Sequence, residues 1–120
     1  MRKIIIAGGR DFDDFKSMYI ILNKLKWKED DIIISGTARG ADSLGERYAE
    51  IKGLSVKQFP AKWEEYGKKA GFIRNEEMAI YSTGAIIFWD GKSRGTKSMI
   101  ELMKKYNKPF KIIYYKKRDI

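Results

Sequence analysis

Lys3-Ile4-Ile5-Ile6-Ala7-Gly8-Gly9-Arg10-Asp11 opens the chain with a short apolar run that breaks on two glycines and then two charges. A β-branched run this brief, with no polar alternation, suits a parallel strand covered on both faces, and the glycines suit a tight turn toward a helix. The same grammar returns downstream. Asp31-Ile32-Ile33-Ile34-Ser35 meets Gly36, Gly84-Ala85-Ile86-Ile87-Phe88-Trp89 meets Asp90-Gly91, and Phe110-Lys111-Ile112-Ile113-Tyr114-Tyr115 is the last such run. Leu54 to Phe59 alternates more and stops at Pro60, which predicts a strand nearer an edge.

Between these runs the apolar residues recur at helical spacing. Phe15, Met18, Tyr19, Leu22 and Leu25 share one face, as do Leu44, Tyr48 and Ile51, and then Met99, Leu102, Met103 and Tyr106. Each stripe is read as facing the core. Asp13 or Asp14 can cap the first helix, Gly53 can close the second, and Asn107 with Pro109 ends the last. A weaker stripe of Ala70, Ile73, Ile80 and Tyr81 predicts a further helix within 68–81.

No internal repeat, low-complexity stretch or linker interrupts this alternation, so one domain is expected over residues 1–120. With right-handed crossovers, β-α alternation gives an α/β, Rossmann-like, doubly wound parallel sheet of about five strands in the order 3-2-1-4-5, with helices on both faces. Such sheets bind ligands outside the carboxyl ends of their strands, where the winding reverses, here between the first and fourth strands.

The composition narrows the chemistry. There is no cysteine and no histidine, which removes disulfides, thiolate nucleophiles and the commonest general base and metal ligand. No metal site is expected, and acid or base catalysis would fall to Asp, Glu, Lys or Tyr. No apolar run approaches a membrane span, and the four apolar residues after Met1-Arg2-Lys3 are too few for a signal-peptide core, so a cytoplasmic protein without a membrane partner is expected. A formal charge of +9 attracts anions without distinguishing a small phosphate from a nucleic-acid backbone. The basic Lys116-Lys117-Arg118 is read as a solubilising tail.

Three glycine-bearing segments fall where the topology places a site: Gly8 to Asp11, Ser35 to Asp42, and Asp90 to Thr96. Glycine lets a backbone approach a ligand closely, and the amides at a following helix N-terminus suit a phosphate. None of the three is a Walker A loop or a G-x-G-x-x-G fingerprint. Arg10, Arg39, Lys92 and Arg94 could add charge. A fourth segment, Trp63 to Met78, offers Arg74 and Asn75 near a helix start, with Trp63 read as packing rather than as a stacking aromatic. The ligand contacts assigned on this reading are Gly8, Gly9, Arg10 and Asp11; Ser35, Gly36, Ala38, Arg39, Gly40 and Asp42; Arg74 and Asn75; and Asp90, Gly91, Ser93, Gly95 and Thr96. No catalytic residue is assigned.

Gly-Gly-Arg-Asp-Phe at 8–12, Ser-Gly-Thr-Ala-Arg-Gly-Ala-Asp at 35–42, Ala-Gly-Phe-Ile-Arg-Asn-Glu-Glu-Met at 70–78 and Phe-Trp-Asp-Gly-Lys-Ser-Arg-Gly-Thr at 88–96 together resemble the SLOG superfamily, in particular its small YspA/YpsA-like proteins. Ser35 to Asp42 is similar to a loop of the DNA-processing protein A (Smf) domain. Arg74, Met78, Gly91, Gly95 and Thr96 resemble elements of the lonely-guy phosphoribohydrolases, which bind and cleave nucleoside monophosphates. The departures are Asn75 for that family's lysine, Trp89-Asp90 for its first Pro-Gly, and Ser98 or Met99 for its catalytic glutamate. Glu101, the next carboxylate, falls on a different helix face.

The resemblance implies nucleotide binding, with no certain cofactor beyond a nucleotide-derived ligand. Three functions stay open: a module or sensor for a phosphorylated nucleoside or ADP-ribose-like compound; a hydrolase of an N-glycosidic bond, using Asp42, Asp90 or Glu77; and a single-stranded nucleic-acid binder. Relatives often self-associate, so a homodimer is the expected assembly.

Overall fold

The computed structural model describes residues 1–116. Its elements run β1 (Lys3–Gly8), α1 (Phe15–Asn23), β2 (Ile32–Ser35), α2 (Ala41–Lys52), β3 (Ser55–Gln58), α3 (Trp63–Tyr66), a 3-10 turn at Gly67–Lys69, α4 (Ala70–Tyr81), β4 (Gly84–Trp89), α5 (Arg94–Lys105) and β5 (Phe110–Tyr114). All five strands pair in parallel, in the order β3-β2-β1-β4-β5. This is the Rossmann-like sheet that the alternation predicts. Lys117 and Arg118 of the basic tail lie outside the described residues.

Side chains alternate along each strand, so every apolar run feeds two cores. Ile4, Ile6, Ile33, Ile86 and Phe88 pack with Met18, Leu22 and Tyr48 under α1 and α2. Ile5, Ala7, Ile34, Ala85 and Ile87 pack with Met78, Met99, Leu102 and Met103 under α4 and α5. Strand β3 lies at one edge, as its sequence predicts, but is exposed at all four positions rather than on one face alone.

The helix ends follow local chemistry. Asp14 accepts from the Ser17 amide at 3.1 Å and caps α1, Gly53 closes α2 in the left-handed region, and Asn107 has a positive φ just past α5. Two stripes differ from their sequence reading. In α2 the buried face is Ala41, Asp42, Gly45, Tyr48 and Ala49, while Ile51 is exposed. In α4 it is Ala70, Asn75, Met78 and Ala79, while Ile80 is exposed. Small residues let these helices approach the sheet: a Cβ on Gly45 would stand 2.7 Å from Ile6 Cγ2.

Among the described residues, no helix is long and apolar enough to cross a membrane.

Candidate functional site

The loop after β1 is pinned to its neighbours by backbone contacts. The Gly9 amide donates to the Phe88 carbonyl at 3.1 Å, joining the two strands at the switch point. The Gly9 carbonyl accepts from Phe12 at 3.2 Å and from Ala41, the first residue of α2, at 3.1 Å. Gly8 is close to β4, where a Cβ would stand 2.1 Å from the Phe88 carbonyl oxygen. Tyr115, just past β5, donates its hydroxyl to the Asp11 carboxylate, and burial with that contact pushes its phenol up.

The loop after β2 turns inward. Asp42, in the first turn of α2, is only 6% exposed and accepts from the Ala38 amide at 3.2 Å. Burial pushes its carboxyl up to about 6, against the Ala38 hydrogen bond and the Arg74 and Arg10 charges, with Glu46 adding to the rise. Arg74 reaches across from α4. Its Nη1 donates to the Gly36 carbonyl and its Nε to Asn75 Oδ1 at 2.9 Å, while burial lowers its pKa and the Asp42 charge opposes that shift. Ser35 donates to Glu46 at 2.6 Å, which ties the end of β2 to α2.

After β4, Asp90 folds its own loop by accepting from the Lys92 amide at 2.9 Å and the Ser93 amide at 2.8 Å. Trp89 Nε1 donates to the Ser93 carbonyl at 3.1 Å. Ser93 Oγ then caps α5, with the Thr96 amide at 3.4 Å and the Thr96 hydroxyl at 3.1 Å. The first turn of α5 holds no acidic residue. The amides of Arg94 and Gly95 precede the first helical bond, from Lys97 to the Ser93 carbonyl, and lie at the positive end of the helix dipole.

These loops and α4 surround a hollow of about 560 Å³ outside the carboxyl ends of β1 and β4. It gathers Gly8, Gly9, Arg10, Asp11, Ala38, Asp42, Arg74, Asn75, Asp90, Ser93, Gly95 and Thr96 from the residues singled out in the sequence. Ser35, Gly36, Arg39, Gly40 and Gly91 are not among its lining residues. Ser35 and Gly36 hold partners in place from behind, Gly40 packs on Gly9, and Arg39 lines a smaller hollow alongside.

Ala7, Met78 and Met99 supply an apolar floor, and Lys92 adds a charge to its rim. Met99 reads as part of a core stripe in the sequence, where nothing in the spacing separates a floor from a core, and Met78 is carried there by the lonely-guy resemblance. Of the three carboxylates considered for catalysis, Asp42 and Asp90 line the hollow and Glu77 does not. Met99, one of the two places where the lonely-guy glutamate falls, lines the hollow and brings no carboxylate to it. Among the described residues, no cluster of carboxylates could hold a metal ion.

A family model described as YAcAr, the YspA, cpYpsA-related SLOG family, matches residues 2–66. The Gene 61 protein of Mycobacterium phage D29 is 31% identical over 105 residues, covering 81% of this chain and 84% of the phage protein. A solved structure from Methanocaldococcus jannaschii, described as a predicted subunit of tRNA methyltransferase, is 16% identical with a TM-score of 0.44. That match covers 95% of this chain and 67% of the archaeal one.

Proposed function

The chain belongs to the YspA, cpYpsA-related SLOG family, and we propose that the hollow binds a phosphorylated nucleoside, nucleotide or ADP-ribose-like ligand and that the protein is a ligand-binding or sensor module. The observation that carries this reading is the α5 N-terminus. It is capped by Ser93, free of acidic residues in its first turn, and opens through Gly95 and Thr96 into a hollow that also holds Arg10, Arg74 and Lys92. A phosphate at Gly95 would meet backbone amides and the helix dipole, with the Arg74 guanidinium held nearby by its bonds to Gly36 and Asn75. The nucleoside would lie above the floor that the nearly buried Ala7, Met78 and Met99 help to form.

A thermal-shift screen against AMP, ADP, NAD, ADP-ribose and short single-stranded DNA tests this. A ligand at 100 times its Kd stabilises the fold by about 2.7 kcal/mol, well within detection. Absence of any shift at millimolar nucleotide rules the reading out. A single-phosphate site also has a shallow salt dependence, whereas strand binding over the basic surface loses affinity steeply as salt rises.

A second reading is favoured by Asp42. A buried carboxyl with a pKa near 6 at the wall of a ligand hollow is suited to hold and release a proton near neutral pH, as cleavage of an N-glycosidic bond requires. Release of free base from AMP or NAD, lost in Asp42→Asn, would support the hydrolase; intact ligand after prolonged incubation would support the sensor.

A further inference from the structure

A second hollow of about 230 Å³ adjoins the first and shares Arg10, Ala38 and Arg74 with it. Its other walls are Thr37, Arg39, Ala61 and Trp63. Resting on the nucleotide reading above, we propose that this annex is a second base subsite, so that the ligand is two nucleosides joined through phosphate, with one base stacked on Trp63.

Trp63, read from the sequence as packing, is 52% exposed and forms part of the annex wall. Its ring lies against Gly71 of α4, where a Cβ would stand 3.5 Å from the indole Cη2, at ordinary van der Waals distance. The indole lines the annex together with three arginines. That pairing of an aromatic face with guanidinium groups recognises a base and its attached phosphate without reading sequence.

The junction sets the order of groups along the ligand. Arg10 and Arg74 line both hollows, so the bridge between the two halves must pass them, and a bridge of phosphate complements two cations there. A lone mononucleotide in the larger hollow would leave Arg39 and Trp63 without a role. The shared chemistry is a dinucleotide, and its bridge could be a 5′,5′-pyrophosphate or a 3′,5′-phosphodiester.

Calorimetric titration with AMP, with diadenosine 5′,5′-pyrophosphate and with the 5′-phosphorylated dinucleotide pApA tests the proposal. At least one two-nucleoside probe should bind roughly tenfold or more tightly than AMP, the gain expected of one stacked base. The better probe identifies the bridge. Trp63→Ala and Arg39→Ala, both at exposed positions, should each remove most of the gain while AMP affinity moves less than twofold. Equal binding of all three probes, or a gain that survives both substitutions, overturns the annex and leaves the nucleotide reading standing. If neither AMP nor the dinucleotides bind, the nucleotide reading itself falls.

Discussion

Gly40 stands so close to Gly9 that a Cβ on Gly40 would lie 2.2 Å from the Gly9 carbonyl oxygen. Its φ of +76° is also one that other residues rarely adopt. The same carbonyl accepts from Ala41, so this contact fixes the start of α2 against the loop after β1. Gly40→Ala should therefore cost about 3 kcal/mol or more, from backbone strain together with displacement of a backbone that cannot yield. Gly53→Ala is the control. Gly53 has a similar φ of +69° but nothing within 4 Å of a would-be Cβ, so its loss should be about 1 kcal/mol. Urea unfolding of the two variants checks the difference; equal losses would mean that the loop contact does not constrain the fold.

The fold was legible because isoleucine runs and the glycines after them need no tertiary context to be recognised. Ile4 to Ile6, Ile33 with Ile34, and Ile86 with Ile87 occupy the three central strands, where both faces are covered. The buried faces of α2 and α4 were less legible because large apolar residues mark a stripe only where helix and sheet stand apart. Where Gly45 or Ala49 meets the sheet, close approach replaces bulk, and Ile51 is left outside.

The glycines of the site divide in a way that sequence cannot show. Gly8, Gly9 and Gly40 are crowded by other loops or side chains, whereas Gly91 and Gly95 have open space where a side chain would be. All five belong to the glycine-bearing segments at the carboxyl ends of strands, and only the packed structure separates the two uses. Tyr115 was equally hidden, since its hydroxyl meets Asp11 from 104 positions away.

Asp42 gives the stability a pH dependence of known sign. Its carboxyl is raised from 3.8 to about 6 in the folded protein, so the fold binds the proton more tightly than the unfolded chain does. Stability therefore falls as pH rises between about 4 and 6, and the loss is complete above that window, amounting to roughly 3 kcal/mol. Asp42→Asn should abolish this component. The stability difference between variant and wild type should grow in the variant's favour from pH 4 to pH 6.5, and a difference that stays flat would show that Asp42 is not strained by burial.

Asp31 acts with the opposite sign. It is 2% exposed and accepts from Arg2 Nη2 at 2.7 Å, Arg2 Nε at 3.1 Å, and the amides of Arg2 and Lys28 at 2.9 Å each. The Arg2 hydrogen bonds hold its carboxyl well below the usual range, so its contribution is present above pH 3.8 and is lost as pH falls below it. Asp31→Ala removes the acceptor for two amides and a guanidinium where β1 and β2 begin. A loss of about 3 kcal/mol at pH 7 is expected in urea unfolding, and a loss under 1 kcal/mol would mean that water replaces the carboxylate at little cost.

Gly95→Ala separates binding from folding most cleanly. Nothing lies within 4 Å of a Cβ at Gly95, and the residue is in the first turn of α5, where alanine favours the helix by up to about 1 kcal/mol over glycine. The variant's Tm should be unchanged or higher. Yet the added methyl would stand at the mouth of the hollow, where the phosphate has to approach the α5 amides. AMP affinity should fall at least tenfold in calorimetric titration while the fold holds. If the affinity is retained, the phosphate does not sit on α5, and the arginines on the other side of the hollow must hold it instead.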